Sequence, residues 1–324
     1  MRQFTRLLAF AALAVASSAA CAQNYPAKPV YLYISFAAGG PTDTLGRNLA
    51  QVMGKALKGQ IIVENVVGAG GTIGPTRAAK AAPDGYTVLL HHIGMSTSPA
   101  LYRSLAFNPL TDFEFIGEVA DVPMTLIARG NFPAGSFNEF LTYIKANKDK
   151  VTYANAGLGS ASHLCGLLFM TAIQTDFTTV PYKGTGPAMN DLLGGQVDFM
   201  CDQTTNTTGQ INGGKVKALG VTSKTRVPSL PNVPTLAEQG IKGFEVVVWH
   251  GLYVPKGTPK PVVDRLIEAL QVAVQDPDLK ANLAKLGAEP VAPDRATPES
   301  LRKRLKSEID QWGPIIKKAG QYAD

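Results

Sequence analysis

The sequence predicts an α/β fold with two lobes, in which mostly parallel sheets carry helices on both faces and a ligand cleft lies between the lobes. Three observations predict it. Short apolar runs alternate with amphipathic helical patterns along nearly the whole chain, which is typical of parallel sheets. The length of 324 residues suits two lobes. Glycine- and hydroxyl-rich turns follow the strands, at the sheet edge where α/β proteins bind ligands.

The first 22 residues stand apart from this pattern and are interpreted as a secretory signal peptide (1–22). Arg2 and Arg6 give a positively charged N-terminal region, and LLAFAALAVA (7–16) is an apolar core. Ala20-Cys21-Ala22 fits a small-residue cleavage site. Ser18 stands where a lipid-anchor signal normally has Leu, which favours a released chain from Gln23 over lipidation of Cys21. Cleavage lowers the formal net charge from +6 to +4, because two arginines and no acid are removed. We expect an exported, water-soluble protein of the periplasm.

The first part of the mature chain alternates strands with helices. The predicted strands are VYLYISF (30–36), IIVENV (61–66), YTVLLH (86–91) and PMTLIA (123–128). The first helix is predicted to start at Thr42 or Asp43, with apolar residues at helical spacing and Gly59 just beyond its end. A short helix is predicted over 78–82, and a capping box over 136–139 opens another.

The second part of the chain repeats this order. Its predicted strands are VTYANA (151–156), TTVPY (178–182), VDFMCD (197–202), VKALGVTS (216–223) and VVVWHGLYVP (246–255). Three helices follow, beginning near Pro259 or Pro261, at Asp276-Pro277 and at Thr297-Pro298. The chain crosses between lobes near Pro123 and returns near Val246. Lobe 1 is therefore expected to hold residues 23–124 and 247–324, and lobe 2 residues 125–246.

Enzyme motifs occur only in part, so we predict no catalytic residue. GQINGGKV (209–216) has Val216 where a phosphate loop needs Ser or Thr, and GAGGTI (68–73) has Ile73 where a dinucleotide fingerprint needs Gly. An esterase-like hydrolase remains open as an alternative, with Ser160 or Ser162 as nucleophile beside His163, although G-x-S-x-G is missing.

Other binding chemistry is also weakly marked. The sequence has no H-E-x-x-H or C-x-x-C, so neither a metal nor a cofactor is predicted. Its lysines and arginines are scattered, apart from RKRLK (302–306), and form no basic stripe with interleaved aromatics, so no nucleic-acid partner is predicted. Cys165 and Cys201 are the two cysteines of the mature chain. An exported protein permits a disulfide between them, but two buried free thiols are slightly favoured.

The turns, taken together, resemble a known family. The relevant segments are FAAGGPTD (36–43), VENVVGAGGTIG (63–74), APDGYTVLL (82–90), VPYKGTGPAMNDLLGGQVD (180–198), PSLPNVPTLAEQG (228–240) and GLYVPKGTPKPVVDRL (251–266). In order and spacing they are similar to the substrate-binding proteins of tripartite tricarboxylate transporters, also called Bug proteins. The resemblance covers essentially the whole mature chain.

This resemblance implies a type II periplasmic-binding-protein fold and a monomer without enzymatic activity. Such a protein closes on a small organic carboxylate and delivers it to membrane permease subunits. In the family two loops grip carboxylate groups, and they correspond here to Phe36–Asp43 and Gly157–His163. A signalling subunit that binds the same ligand outside the cytoplasm remains an alternative.

The predicted ligand contacts lie in these two loops and in later turns of the cleft. They are Phe36, Ala38, Gly40, Thr42, Asp43, His92, Gly159, Ser160, Ser162, His163, Thr185, Asp202, Asn206, Trp249 and His250. Glycines at 39 and 40 allow the backbone to approach an anion, and the helix after them offers free N–H groups and a positive dipole end. An ionised Asp43 would repel a carboxylate, so its expected task is to orient the loop or a water molecule.

Several cleft residues depart from the family pattern. Pro41 replaces a common glycine, His91-His92 replace small polar residues, Cys201 replaces Phe, and His250 stands where an aromatic ring is common. His92 and His250 are expected to hydrogen-bond a carboxylate and, when protonated, to add charge. With Phe36 and Trp249 nearby, they favour a flat aromatic dicarboxylate such as terephthalate. Adipate and citrate remain alternatives.

Overall fold

The computed structural model describes residues 25–319, so the signal-peptide prediction for residues 1–22 lies outside it. The strands are β1 (Val30–Ile34), β2 (Ile61–Asn65), β3 (Thr87–His92), β4 (Phe113–Arg129), β5 (Thr152–Asn155), β6 (Thr178–Pro181), β7 (Phe199–Gln203), β8 (Val216–Val221), β9 (Val247–Pro255) and β10 (Glu289–Pro290). The helices are α1 (Pro41–Leu57), α2 (Ile73–Ala79), α3 (Gly94–Leu101), α4 (Phe137–Ala146), α5 (Ala161–Ile173), α6 (Thr185–Leu193), α7 (Thr204–Asn212), α8 (Lys260–Gln275), α9 (Pro277–Lys285) and α10 (Pro298–Ala319). Within the described range, none of these helices has both the length and the apolarity needed to span a bilayer.

The strands form two sheet regions that share β4. In the first region the strand order is β2-β1-β3-β9-β4, and β10 also pairs with β4. In the second region the order is β4-β7-β5-β6, and β8 also pairs with β4. The partner of β4 changes between Pro123, which lies opposite Val247, and Met124, which lies opposite Gln203. This change coincides with the predicted crossing, and the lobe boundaries themselves stay a prediction.

The two regions are mixed sheets, which corrects the expectation of mostly parallel pairing. The pairs β1–β2, β1–β3, β5–β6 and β5–β7 are parallel. The pairs of β9 with β3 and β4, and of β4 with β7, β8 and β10, are antiparallel. The difference arises because β4 leaves the first region and β9 returns to it, so these two central strands run in opposite directions.

Strand β4 is much longer than the predicted run 123–128. Acidic residues interrupt its apolar pattern, and the fold supplies cations to them. Arg295 Nη1 donates to Asp121 Oδ2 at 2.6 Å, and Arg304 Nη1 donates to the buried Glu118 at 3.2 Å. A buried carboxylate is tolerated when it is paired in this way, but these arginines come from a distant part of the chain.

Two helices lie where the sequence predicts only turns, α3 and α7. Both are rich in Ser and Thr, which have modest helix propensity because their hydroxyls compete for backbone groups. In α7 those hydroxyls bond another part of the fold: Thr204 Oγ1 donates to Gly287 O at 2.9 Å, and Thr208 Oγ1 donates to Leu286 O at 3.1 Å. Tertiary hydrogen bonds thus stabilise a helix that its propensities do not indicate.

The expectation of two free thiols is wrong. Cys165 of α5 and Cys201 of β7 form a disulfide that is fully buried. Packing of α5 against β7 brings their Cα atoms to 6.2 Å, within the range that a disulfide bridges. The bond fastens the helix that follows the second predicted ligand loop to the strand that carries Asp202.

Candidate functional site

A small buried cavity lies where strand ends of the two sheet regions face each other. Phe36, Pro41, Thr42 and His92 line its first side, and Ala156, Ser160, Ala161, Ser162, Thr185, Asp202 and Gln203 line its second side. Its volume is about 10 Å³, which is room for roughly one water molecule. The two sides therefore leave almost no free space between them at this point.

Direct contacts between the first and second sides close the cavity. Ala37 N donates to Lys183 O at 3.1 Å, and Thr97 Oγ1 donates to Gly159 O at 3.0 Å. At Gly70 the two sides approach so closely that an added Cβ would lie 1.6 Å from the carbonyl oxygen of Leu158. This closed arrangement requires glycine at position 70.

Four helices begin at the cavity. Helix α1 starts after Gly40, α5 after Ser160, α6 with Thr185, and α7 directly after Gln203. The first turn of a helix has N–H groups without partners inside the helix and carries the positive end of the dipole. None of the described residues that line the cavity is Lys or Arg. The site can thus attract an anion through backbone groups alone.

The backbone holds both histidines at the end of β3. His91 Nε2 lies 2.9 Å from Gly71 O and must donate to it, while His91 Nδ1 accepts from His92 N at 2.8 Å. His92 Nδ1 accepts from Gly94 N at 2.9 Å. Each ring therefore has a fixed orientation and keeps its proton on Nε2 in the neutral form.

His250 completes this group, and all three rings are neutral. His92 stacks on Phe36 with centroids 4.6 Å apart, and His250 Nε2 lies 3.3 Å from Thr42 Oγ1. Burial lowers the pKa of His91, His92 and His250, the last to about 3, and the neighbouring imidazoles lower the pKa of His92 further. His92 and His250 were expected to add charge when protonated, and their lowered pKa values mean that at neutral pH they exchange hydrogen bonds only.

Asp43 supports the first loop from behind. Its Oδ2 accepts from Gly39 N at 3.0 Å and Arg47 Nε at 2.9 Å, and its Oδ1 accepts from Asn65 Nδ2 at 2.9 Å. Burial alone would raise the pKa of Asp43, but these hydrogen bonds and the Arg47 charge outweigh it and lower the pKa. Asp43 is ionised and fixes the loop, in line with the task expected from the sequence.

Asp202 is the carboxylate that reaches the cavity itself. Its Oδ1 accepts from Gln203 N at 2.8 Å and its Oδ2 from Asn206 Nδ2 at 2.6 Å. Burial raises the pKa of Asp202 to about 6. Beside it, Thr185 Oγ1 and Gln203 Oε1 are buried without a hydrogen-bond partner within the described structure. The second side thus offers polar atoms that the protein leaves unused.

The chain matches the family model described as "Tripartite tricarboxylate transporter family receptor" over residues 45–321. It belongs to this family. A UPF0065 protein of Agrobacterium vitis, encoded in the TAR-I ttuE-ttuC' intergenic region, is 47% identical over 298 residues, which cover 92% of this chain and 86% of the relative. The family and the sequence resemblance are thereby confirmed.

Solved structures of similar receptors confirm the predicted fold class. The periplasmic binding protein BugD is 54% identical with a TM-score of 0.90, covering 92% of this chain and 99% of BugD. MatC from Rhodopseudomonas palustris, solved with bound malate, is 40% identical with a TM-score of 0.87, covering 90% of this chain and 100% of MatC. The receptor described here thus has the fold of periplasmic binding proteins.

The two loop serines of this receptor are engaged in local structure. Ser160 Oγ accepts from His163 N at 3.2 Å and caps α5, and Ser162 Oγ accepts from Ala156 N at 2.8 Å. His163 Nδ1 accepts from Gly159 N at 3.3 Å, so this nitrogen does not face a serine as a base. These contacts favour a loop-shaping role over the hydrolase alternative.

The structure brings together seven of the fifteen predicted contacts as cavity lining: Phe36, Thr42, His92, Ser160, Ser162, Thr185 and Asp202. Gly40, Asp43, Gly159, His163, Asn206 and His250 lie in the layer behind them. Ala38 is exposed, and Trp249 is fully buried with the Arg304 guanidinium 5.7 Å from its ring centre. Four lining residues were not among the predicted contacts, although Pro41 and Ala161 lie inside the predicted loops: Pro41, Ala156, Ala161 and Gln203. Each is adjacent in sequence to a predicted contact or to a predicted loop, and this adjacency was the available signal.

Proposed function

We propose that this receptor captures a small dicarboxylate between loops 36–43 and 157–163 in the periplasm and delivers it to the permease subunits of a tripartite transporter. The observation that carries the proposal is the convergence of four helix N-termini on one cavity. Two of these termini, at Gly40 and Ser160, lie on opposite sides of it. A carboxylate at each terminus would satisfy the free N–H groups there.

The bound malate of MatC, at 40% identity, supports an aliphatic dicarboxylate. The stacked pair of Phe36 and His92 on the first side keeps an aromatic dicarboxylate such as terephthalate within the proposed class. Both ligand types share two separated carboxylates. The two separated carboxylates are the feature that the two loops are proposed to recognise.

Capture also requires motion. The cavity of about 10 Å³ cannot admit a ligand from outside, so we propose that an open form binds the ligand and then closes on it. The moving units would be lobe 1, residues 23–124 and 247–324, and lobe 2, residues 125–246. The closed form would expand locally to hold the ligand in place of water.

Calorimetry on matched acids tests the two-loop grip. A hydrogen bond to a charged group contributes roughly 1.5–3 kcal/mol, so losing a carboxylate held by two such bonds should weaken binding at least about a hundredfold. Malate, adipate or terephthalate is expected to bind. The monocarboxylate matched to each, which is 3-hydroxybutyrate, hexanoate or benzoate, is expected to bind far more weakly. Equal affinity within each pair would contradict a grip by two loops.

Substitution of Gly70 tests closure. Gly70→Ala would place a Cβ 1.6 Å from Leu158 O in the closed form, whereas Gly195→Ala meets nothing within 4 Å. Both glycines have positive φ, +59 and +76, so the two variants carry similar backbone strain. We expect Gly70→Ala alone to lose affinity, by about a hundredfold or more, and to show no ligand-induced decrease in radius of gyration by small-angle scattering. Unchanged binding by Gly70→Ala would refute closure in the observed geometry.

A further inference from the structure

We propose that Asp202 determines ligand specificity by requiring a hydrogen-bond donor on the ligand, next to the carboxylate that the second loop holds. The donor can be an ammonium group, a hydroxyl group or a protonated carboxyl group. The inference rests on the proposed function, since it assumes that an organic acid occupies the cavity. It specifies one further group on that acid, a hydrogen-bond donor beside the carboxylate.

The first argument is the incomplete environment of Asp202. The residue is 1% exposed and lines the cavity. Each carboxylate oxygen accepts one hydrogen bond, from Gln203 N and from Asn206 Nδ2, although each has capacity for another. Within residues 25–319, no Lys or Arg forms an ion pair with it. A buried carboxylate that keeps free acceptor capacity towards a cavity is suited to a donor that arrives with the ligand.

The second argument is the pair of unused polar atoms beside it. Gln203 Oε1 can only accept a hydrogen bond, and Thr185 Oγ1 can accept or donate. Both are buried and both residues line the cavity. Gln203 Oε1 has no partner within the described structure, and Thr185 Oγ1 has none at full hydrogen-bonding distance, although it faces Asp202 closely enough to lower the pKa of that carboxyl. Buried polar groups without partners destabilise the protein. A ligand donor would satisfy these acceptors together with Asp202, while the helix N-termini hold the ligand carboxylate.

The third argument concerns the charges around Asp202. The titratable groups on elements packed against β7 and across the cavity include Tyr153, His163, Asp191, Arg129, the histidines 91, 92 and 250, and Asp43 with Arg47. Arg129 is bound to Asp198 at 2.9 Å, Arg47 to Asp43, and Asp191 accepts from Tyr182. His92 and His250 are neutral because burial lowers the pKa of each. Arg129 and Arg47 are therefore each committed to another carboxylate, and helix α7 has no titratable side chain.

A fully ionised ligand carboxylate beside an ionised Asp202 would be repelled. Two carboxylates at hydrogen-bonding distance share one proton in the absence of a cation. The ligand therefore either carries its own donor or binds together with one proton. Since burial already raises the pKa of Asp202 to about 6, the proton is available at mildly acidic pH.

Calorimetry with succinate, malate and aspartate tests this, because the three four-carbon acids differ only in H, OH and NH3+ at one carbon. We compare the wild-type protein, Asp202→Asn and, as a control outside the cavity, Asp264→Asn, which removes a half-exposed carboxylate paired with Lys260. At about pH 7.5 we expect malate or aspartate to bind the wild type at least about tenfold more tightly than succinate. Asp202→Asn should reduce that ratio to about threefold or less, and Asp264→Asn should leave it unchanged.

A second arm separates the two sources of the donor. If the donor is a protonated carboxyl, succinate should bind about tenfold more tightly at about pH 5.5 than at about pH 7.5. About one proton should be taken up, as measured in buffers of different ionisation enthalpy. Asp202→Asn should abolish both effects.

The inference is overturned if the wild type binds all three acids equally at both pH values, or if Asp202→Asn keeps the full discrimination. If Asp202→Asn does not fold, the wild-type affinities and proton uptake decide the matter alone. Failure of the proposed function has a different signature. In that case none of these diacids, nor adipate or terephthalate, binds at all.

Discussion

Asp43 and Asp202 are both buried beside the same cavity, yet their electrostatic surroundings are opposite. Asp43 accepts from the Arg47 guanidinium and two further donors, which lower its pKa. Asp202 accepts only from neutral donors, and burial raises its pKa to about 6. The comparison shows that burial alone does not fix the role of a carboxylate. A cation makes the first one structural, and the lack of a cation leaves the second one free to respond to a ligand.

The same contrast extends to the two sides of the cavity. On the first side, backbone groups orient the rings of His91 and His92, and Phe36 stacks on His92. On the second side, Thr185 and Gln203 keep buried polar atoms without partners in the described structure. The first side therefore supplies shape, and the second side supplies hydrogen-bonding capacity that only a ligand or water can use.

The largest expected effect is a loss of stability in acid, which tests whether the histidines on the first side of the cavity are neutral. Burial holds the pKa of His250 at about 3, below its ordinary value of about 6.5. The resulting stability is fully present above about pH 6.5 and is lost as the pH falls towards 3, by up to about 5 kcal/mol. Urea unfolding between neutral and acidic pH should show this loss, and His250→Gln should make it clearly shallower. Parallel curves for the two proteins would mean that His250 is solvated or charged in solution.

The second effect concerns the disulfide that holds β7, the strand that carries Asp202. The disulfide between Cys165 and Cys201 spans 36 residues, and closing a loop of that size stabilises a protein by about 3–4 kcal/mol. The double variant Cys165→Ala/Cys201→Ala should lose about that much unfolding free energy in denaturant titrations. The first side has no such link, so Asp43 and its loop should be unaffected. A loss below about 1 kcal/mol would show that packing alone holds β7.

The third prediction compares how removing the charge of Asp202 and of Asp43 changes the stability of the ligand-free protein. The pKa of Asp202 is raised in the folded state, so its ionisation costs stability as the pH rises through about 6. Asp202→Asn should therefore stabilise the ligand-free protein above about pH 7, by up to about 3 kcal/mol, and the gain should vanish below about pH 4. Asp43→Asn should instead destabilise by about 1–3 kcal/mol at neutral pH, with a deficit that shrinks in acid. Thermal unfolding at several pH values measures the stability change of each variant. Changes of the same sign in the two variants would contradict the contrast between Asp43 and Asp202.

The smallest expected effect is on ligand affinity, and it distinguishes a buried hydroxyl that faces the cavity from one that does not. Thr185 and Thr205 both have buried hydroxyls without partners in the described structure, but only Thr185 lines the cavity. Neither Thr185→Val nor Thr205→Val should change the unfolding free energy by more than about 1 kcal/mol, since no hydrogen bond is lost. Thr185→Val should weaken dicarboxylate binding about three- to tenfold, and Thr205→Val should not. Equal affinities in calorimetry would remove Thr185 from the site.

The sequence by itself determined the features that depend on neighbouring residues. Alternating apolar and helical patterns located most strands and helices, and Ser136 caps α4 as its spacing predicts. The glycine-rich turns after β1 and β5 were identified as ligand loops, and both line the cavity. The ion pair of Asp43 and Arg47, four residues apart on one helix, was not predicted, although its spacing is local. All these features follow from local geometry, so a single stretch of sequence contains the necessary information.

Only the tertiary structure decided the features that join distant segments. The acids of β4 need arginines 295 and 304, and α7 needs the carbonyl groups of residues 286 and 287. The disulfide needs α5 packed on β7. Asp43 and Asp202 look equally polar in the sequence, and only the fold removes water from Asp202 without placing a cation beside it. Burial and long-range pairing are properties of the whole packed chain, because the free energy of a charge depends on every group that replaces its water.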